Sequence, residues 1–152
     1  MINKFYFFFI NFILLISSFA ALNINDLNIE NYENEVFSTK EIWLIEYYSE
    51  KCSTCKEFSV IWEKLIKNLT YLKIGRVNID EQKGLNLAIK NDALNNGIPC
   101  IRLDFGKNNF DDVMIGTEEP FPNEKALKGR IDEILKKKGI NKNGKYYINE
   151  EL

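Results

Sequence analysis

The sequence predicts an α/β domain built on a central mixed β-sheet flanked by helices. A nearly continuous apolar run, Ile42 to Tyr48, has the length and the β-branched and aromatic content of a strand buried on both faces. A helix-period pattern starts within a few residues of its end. Strand-like and helix-like stretches then alternate in the order β-α-β-α-β-β-α, with room for a short strand and helix before Glu41.

The first twenty residues read as an address. Lys4 lies in a short n-region, an apolar stretch runs from Phe5 to Ile16 broken only by Asn11, and Ser18 and Ala20 are the small residues of a cleavage site. This is the layout of a secretory signal peptide cut after Ala20. The rival, an uncleaved anchor, wants roughly 20 apolar residues, more than this stretch offers. The expected division is therefore a signal peptide over 1–20, a domain over 21–140 and a polar tail over 141–152. No membrane association is expected once the signal is removed.

Within the domain, Ser49-Glu50-Lys51 forms a short loop after the first long strand. Phe58, Ile61, Trp62, Leu65, Ile66 and Leu69 then recur at steps of three and four, with charged residues between them. Leu72 to Ile79 reads as a second strand and Glu81 to about Asn91 as a helix. Asn95-Asn96-Gly97 turns the chain towards Ile98-Pro99. Ile101, Leu103 and Phe105 alternate as a strand does, and Val113-Met114-Ile115 returns as its hairpin partner. Asn123 caps a final helix whose apolar face is Leu127, Ile131, Ile134 and Leu135, closed by Gly139.

Composition narrows the chemistry. The 152 residues are 45% hydrophobic and 28% charged, which suits one globular domain. A net charge of −2 and the lack of any basic stripe argue against nucleic acid. There is no histidine, so Ser-His-Asp and Cys-His catalysis and His-ligated metal sites are excluded within one chain. The three cysteines, Cys52, Cys55 and Cys100, fall one short of a four-cysteine site in a monomer. Carboxylate, lysine and thiol chemistry remain.

Cys52-Ser53-Thr54-Cys55 sits at a strand-to-helix junction. A cysteine at a helix N-terminus meets unpaired N–H groups and the positive end of the helix dipole, which favour its thiolate. Cys55, three residues before Phe58, leans towards the buried face. One exposed, acidic sulfur and one shielded sulfur suit thiol–disulfide exchange, with Cys52 attacking and Cys55 resolving the mixed disulfide. The competing readings are an inert structural disulfide, half of a zinc site and a chance pair; a four-residue loop stabilises little. Glu46, inside the apolar strand six residues earlier, is costly to bury charged and is expected to stay neutral, exchanging a proton with Cys55. Its alternative is an edge position facing solvent. For Cys100 the preferred reading is a small core residue; a third redox group or a metal ligand across a dimer are the others.

Several segments now resemble a known family. Trp43-Leu44-Ile45-Glu46-Tyr47-Tyr48, the Cys-x-x-Cys, Trp62-Glu63-Lys64-Leu65, Val77-Asn78-Ile79-Asp80 and Gly97-Ile98-Pro99 are similar, in this order, to a catalytic domain of the protein disulfide isomerase family, within the thioredoxin superfamily. The resemblance runs from about Asp26 to Leu135. It implies a thioredoxin fold, Cys52 as nucleophile, Cys55 as resolving cysteine, Glu46 as the buried acid and Arg76 as its basic partner. It also implies a cis-proline at Pro99 that, with Ile98, lines the substrate strand.

Family isomerases carry Trp-Cys-Gly-His-Cys where this chain has Lys51-Cys52-Ser53-Thr54-Cys55. Their histidine stabilises the thiolate; Thr54 is expected not to, while Lys51 is expected to attract it. The couple should fall between about −180 mV, the protein disulfide isomerase value, and about −270 mV, that of thioredoxin. The late arginine of such isomerases is absent, with Thr117 near its place, and the stretch before Pro99 is about two residues longer.

The expected function is a thiol–disulfide oxidoreductase of reductase or isomerase type, monomeric and without cofactor or metal. Its expected partners are cysteine-containing clients and a redox partner, glutathione or another oxidoreductase. The expected location is the endoplasmic reticulum lumen or the exterior. Asn149-Glu150-Glu151-Leu152 resembles a retrieval signal, and Asn68-Leu69-Thr70 is a glycan acceptor triplet. The alternatives are a thioredoxin-like chaperone or adaptor with little turnover, and a metal or iron–sulfur protein using all three cysteines across a dimer.

Overall fold

Trp43–Tyr48 forms the central strand of the sheet, and its apolar run is buried on both faces as the sequence implies. The computed structural model describes residues 23–107 and 109–149. The expected signal peptide and the acidic end Glu150-Glu151-Leu152 lie outside the described residues.

Five strands make the main sheet: β1 (Ile24–Asp26), β2 (Trp43–Tyr48), β3 (Lys73–Asn78), β4 (Cys100–Asp104) and β5 (Phe110–Met114). Their spatial order is β1-β3-β2-β4-β5. β3 runs parallel to both β1 and β2, whereas β4 is antiparallel to β2 and to β5, so the sheet is mixed. Among the described residues three α-helices pack against it: α1 (Ser53–Lys67), α2 (Gln82–Lys90) and α3 (Glu124–Lys138). A single π-helical turn, Glu33–Phe37, occupies the segment before β2.

Alternation along the strands sends side chains into two cores. Leu44, Ile74, Ile101 and Leu103 meet Phe58, Trp62, Leu65 and Ile66 of α1 and Leu127, Ile131 and Leu135 of α3. Trp43, Ile45, Tyr47, Val77 and Cys100 meet Leu87 and Ala88 of α2 and Val36 of the π turn. Two charged residues of β4 are also buried on this second face. Arg102 pairs with Asp112 and donates to the carbonyls of Asn91 and Asp92, and Asp104 accepts from Tyr32 and from Gly106 N–H. The long stretch before Pro99 is held by those carbonyl contacts.

The expectation of a polar tail over 141–152 is corrected. Residues Gly139–Lys142 and Lys145–Ile148 form an antiparallel hairpin, β6 and β7. Asn143 and Gly144 adopt φ of 54° and 80°, the left-handed pair that a two-residue hairpin turn needs and that Asn-Gly supplies at little strain. The hairpin bridges Glu41 through Tyr147, receives a hydrogen bond from Ile42 N–H at Tyr146 O, and lays Tyr146 against Tyr71 with ring centroids 5.5 Å apart. Half-buried Tyr146 and Ile148 extend the first core. The helix still ends at Lys138, but Gly139 has φ −96° and starts a strand directly.

Candidate functional site

The cysteine pair stands where β2 hands over to α1. Cys52 is the N-cap of α1 in an extended conformation, and its sulfur accepts the N–H of Cys55 at 3.1 Å. A cap sulfur thus takes the place of the usual cap oxygen in satisfying one orphan donor of the first turn. The Thr54 hydroxyl lies 3.0 Å from the same sulfur. Partial burial pushes the Cys52 thiol up, but hydrogen bonds from Cys55 and Thr54 outweigh it, and the net shift is downward. Cys55 is buried, and desolvation, followed by the Cys52 contact, pushes its thiol up to about 12. Both cysteines are unbridged, and the two sulfurs are chemically unequal.

Glu46 is inside, 1% exposed, on the face of β2 that α1 covers, which excludes the edge position. Burial dominates its electrostatics and raises the carboxyl to about 7, against the pull of Arg76. Arg76 Nε donates to Glu46 Oε2 at 2.7 Å, and its guanidinium stacks 3.9 Å above the Tyr48 ring. Glu46 Oε1 has no hydrogen-bond partner among the described residues. Its negative charge is one of the causes that raise Cys55, so the two groups sense each other across the α1 face. A carboxyl titrating near neutrality beside a reluctant thiol is equipped to exchange a proton with it.

Ile98-Pro99 enters β4 through a cis peptide bond, as the resemblance implies. Tyr47 pairs with Cys100 across the antiparallel ladder, so one further step along the register brings Pro99 level with Tyr48. The proline therefore sits at the end of the sheet where the cysteine loop begins. Pro99 is buried and Ile98 half-buried. Cys100 points the other way, into the core beneath α2, 1% exposed, with its thiol pushed up to about 11 by burial. It is packed as a core residue, on the face opposite Glu46.

Two expectations about neighbours are corrected. Thr54 does reach Cys52, because a hydroxyl two residues into the helix turns back onto the cap sulfur. Lys51 does not serve Cys52; its side chain is 82% exposed and its ammonium lies 3.7 Å from Asp80. Sequence reading also missed Ser49, Asp80 and Gly116. Asp80 binds the cysteine loop from the end of β3. Gly116 lies so close to the Gly97–Ile98 backbone that an added Cβ would stand 2.4 Å from it. The only sequence sign for Asp80 was its place in the Val77-Asn78-Ile79-Asp80 segment; Gly116 gave none.

A surface concavity of about 520 Å³ lined by Phe37, Phe105 and Ile148 lies at the other end of the sheet, away from the sulfurs. No group of three metal-ligating side chains occurs among the described residues, and none of their helices is long and apolar enough to cross a membrane.

A mixed sheet between helices, with a cysteine pair on the first turn after the central strand and a cis-proline beside it, defines a thioredoxin-fold dithiol domain. The thioredoxin family pattern matches residues 23–119, well over half of the chain. The chain belongs to the thioredoxin family. It is similar to protein disulfide isomerase-like 2-3 of Oryza sativa subsp. japonica, 32% identical over 102 residues that cover 66% of this chain and 20% of that protein. It is also similar to a thioredoxin of Buchnera aphidicola subsp. Schizaphis graminum, 28% identical over 73% of this chain and 95% of that one.

Among solved structures, the first thioredoxin domain of mouse protein disulfide-isomerase A4 superposes with a TM-score of 0.55 at 23% identity, covering 78% of this chain and 84% of that one. The J-Trx1 fragment of ERdj5 gives 0.58 at 20%, covering 74% and 50%. These two establish the fold. The chain spans about a fifth of the length of the rice relative.

Proposed function

We propose that the protein is a thiol–disulfide oxidoreductase of reductase or isomerase type that works through Cys52 and Cys55 on cysteines of secretory-pathway clients. The observation that carries this is the opposition of the two thiols. Cys52 is acidified at the cap of α1, Cys55 is buried and pushed up to about 12, and Glu46 lies beneath them. In the reductive direction the Cys52 thiolate attacks a client disulfide. A Cys52–client bond forms, the client disulfide breaks, and one client sulfur leaves as thiolate. Cys55 gives its proton to Glu46 and attacks the Cys52 sulfur, closing a Cys52–Cys55 disulfide and releasing the second client sulfur. Two electrons pass to the client, and two molecules of glutathione or another oxidoreductase return them. Ile98-Pro99 lines the substrate strand, and the lumenal or extracellular setting rests on the signal-like pattern of residues 1–20.

Insulin reduction by the wild type, Cys52→Ser and Cys55→Ser tests the proposal. Turnover lost in both variants, with Cys55→Ser trapping a client mixed disulfide, supports it. A wild type that does not turn over yet suppresses aggregation points instead to a chaperone or adaptor. Sequencing the N-terminus of protein recovered from a eukaryotic secretory host tests the location.

A further inference from the structure

We propose that Glu118 and Arg130 are positioning residues for client binding, holding the turn after β5 against the backbone that leads into Pro99. This deepens the oxidoreductase reading above and rests on it, since that reading makes Ile98-Pro99 the lining of the substrate strand.

The chain leaves β5 at Met114 and turns over residues 115–118, where Glu118 N–H donates to Ile115 O at 3.2 Å. The Glu118 side chain closes the same turn a second time, its Oε1 accepting Ile115 N–H at 3.3 Å. Arg130 of α3 then fixes the turn to the strand. Its Nη1 donates to Val113 O at 2.9 Å and lies 3.0 and 2.9 Å from the two carboxylate oxygens of Glu118. One guanidinium nitrogen so ties the end of β5, the turn and α3 together. A partly exposed ion pair by itself contributes little, but here each partner also bonds backbone, and that is what fixes the path of a turn.

The middle of this turn meets the segment before Pro99 backbone to backbone. A Cβ on Gly116 would stand 2.4 Å from Gly97 C and from Ile98 N, and 2.7 Å from Ile98 C, so the two chains touch with no side chain between them. Gly97, at φ +78°, completes the contact: a Cβ there would lie 3.7 Å from Gly116 Cα and 3.9 Å from Thr117 Cγ2. A shift of the turn therefore moves the wall against which the Gly97–Ile98 peptide rests. Cys52 finds its partners elsewhere, in Cys55 N–H, the Thr54 hydroxyl and Ser49 O. The Glu118–Arg130 pair is thus expected to set how well a client strand seats beside Ile98-Pro99, and to leave the thiol chemistry as it is.

Acid-quenched single turnovers of the pre-reduced protein against a disulfide-linked peptide give a half-saturating concentration and a limiting rate. A reference rate comes from 2-hydroxyethyl disulfide, which has no peptide backbone to seat. Glu118→Ala and Arg130→Met are each expected to raise the half-saturating peptide concentration about threefold to fivefold. The limiting rate and the reference rate should stay within about twofold, and the pH midpoint of Cys52 alkylation should not move. Glu118→Gln, which keeps an oxygen for Ile115 N–H, should fall between Glu118→Ala and the wild type. The double variant should be about as impaired as either single one, because both act through one turn. Unchanged half-saturation in both variants would overturn the proposal. So would shifts in opposite directions, the mark of direct charge contact with the peptide, or both rates falling together, which is general loosening. A wild type that reacts with neither disulfide overturns the exchange reading and this proposal with it.

Discussion

Replacing Glu46 with glutamine should make the protein more stable at pH 8 while impairing its exchange chemistry. Burial holds the Glu46 carboxyl at about 7 instead of its ordinary 4.5. Because the folded-state value is raised, the folded protein binds a proton that the unfolded chain has already released between those two pH values. The contribution to stability is whole below about 4.5 and is lost as pH rises through about 7. The difference, at about 1.4 kcal/mol per pH unit, amounts to about 3 kcal/mol. Glutamine is the neutral, near-isosteric stand-in for the protonated acid and keeps an oxygen for Arg76 Nε, now 2.7 Å from Oε2. Urea unfolding of the reduced proteins from pH 5 to pH 8 should show the wild type losing about 3 kcal/mol and Glu46→Gln nearly flat. The two should coincide near pH 5, with the variant ahead at pH 8. A wild-type midpoint that does not move across this range, or a variant no more stable at pH 8, would refute the burial argument.

Thr54→Val removes the hydroxyl 3.0 Å from the Cys52 sulfur, so the alkylation midpoint of Cys52 should rise by roughly half to one pH unit, read from iodoacetamide rates against pH. Thr54→His should move the couple, equilibrated with glutathione, from between about −270 and −180 mV towards the latter, since an imidazolium favours the thiolate. Gly116→Ala forces a Cβ to within 2.4 Å of the Gly97 and Ile98 backbone; insulin reduction should fall several-fold while Cys52 alkylation barely changes. Tyr146→Ala strips the hairpin of its contact with Tyr71 and should cost on the order of 2 kcal/mol, several degrees in Tm by thermal melting.

Strand β2 and helix α1 were legible because their signals are local. An apolar run from Ile42 to Tyr48 broken only by Glu46 and a clean three-and-four spacing leave one reading each. The β6–β7 hairpin carried an equally local signal, Asn143-Gly144 between Ile140 and Tyr146-Tyr147-Ile148, which a polar composition obscured. Arg102 and Asp104 were illegible for another reason. Their partners Asn91, Asp92, Asp112 and Tyr32 come from other parts of the chain, and nothing in the order of residues announces that two charges on a strand are buried together.

The chain order alone determined the α/β class, the cysteine pair at a helix start and the acid six residues before it, because each depends on neighbours within one turn or strand. The family resemblance named Arg76 as the partner of Glu46, and in the fold the two meet; only the folded molecule decided that Lys51 serves Asp80 rather than Cys52, and that Cys100 lies on the opposite face of the sheet. Those outcomes turn on strand register and on which side chain fills a space first. Both are set by contacts between residues far apart along the chain, and a local pattern holds no record of them.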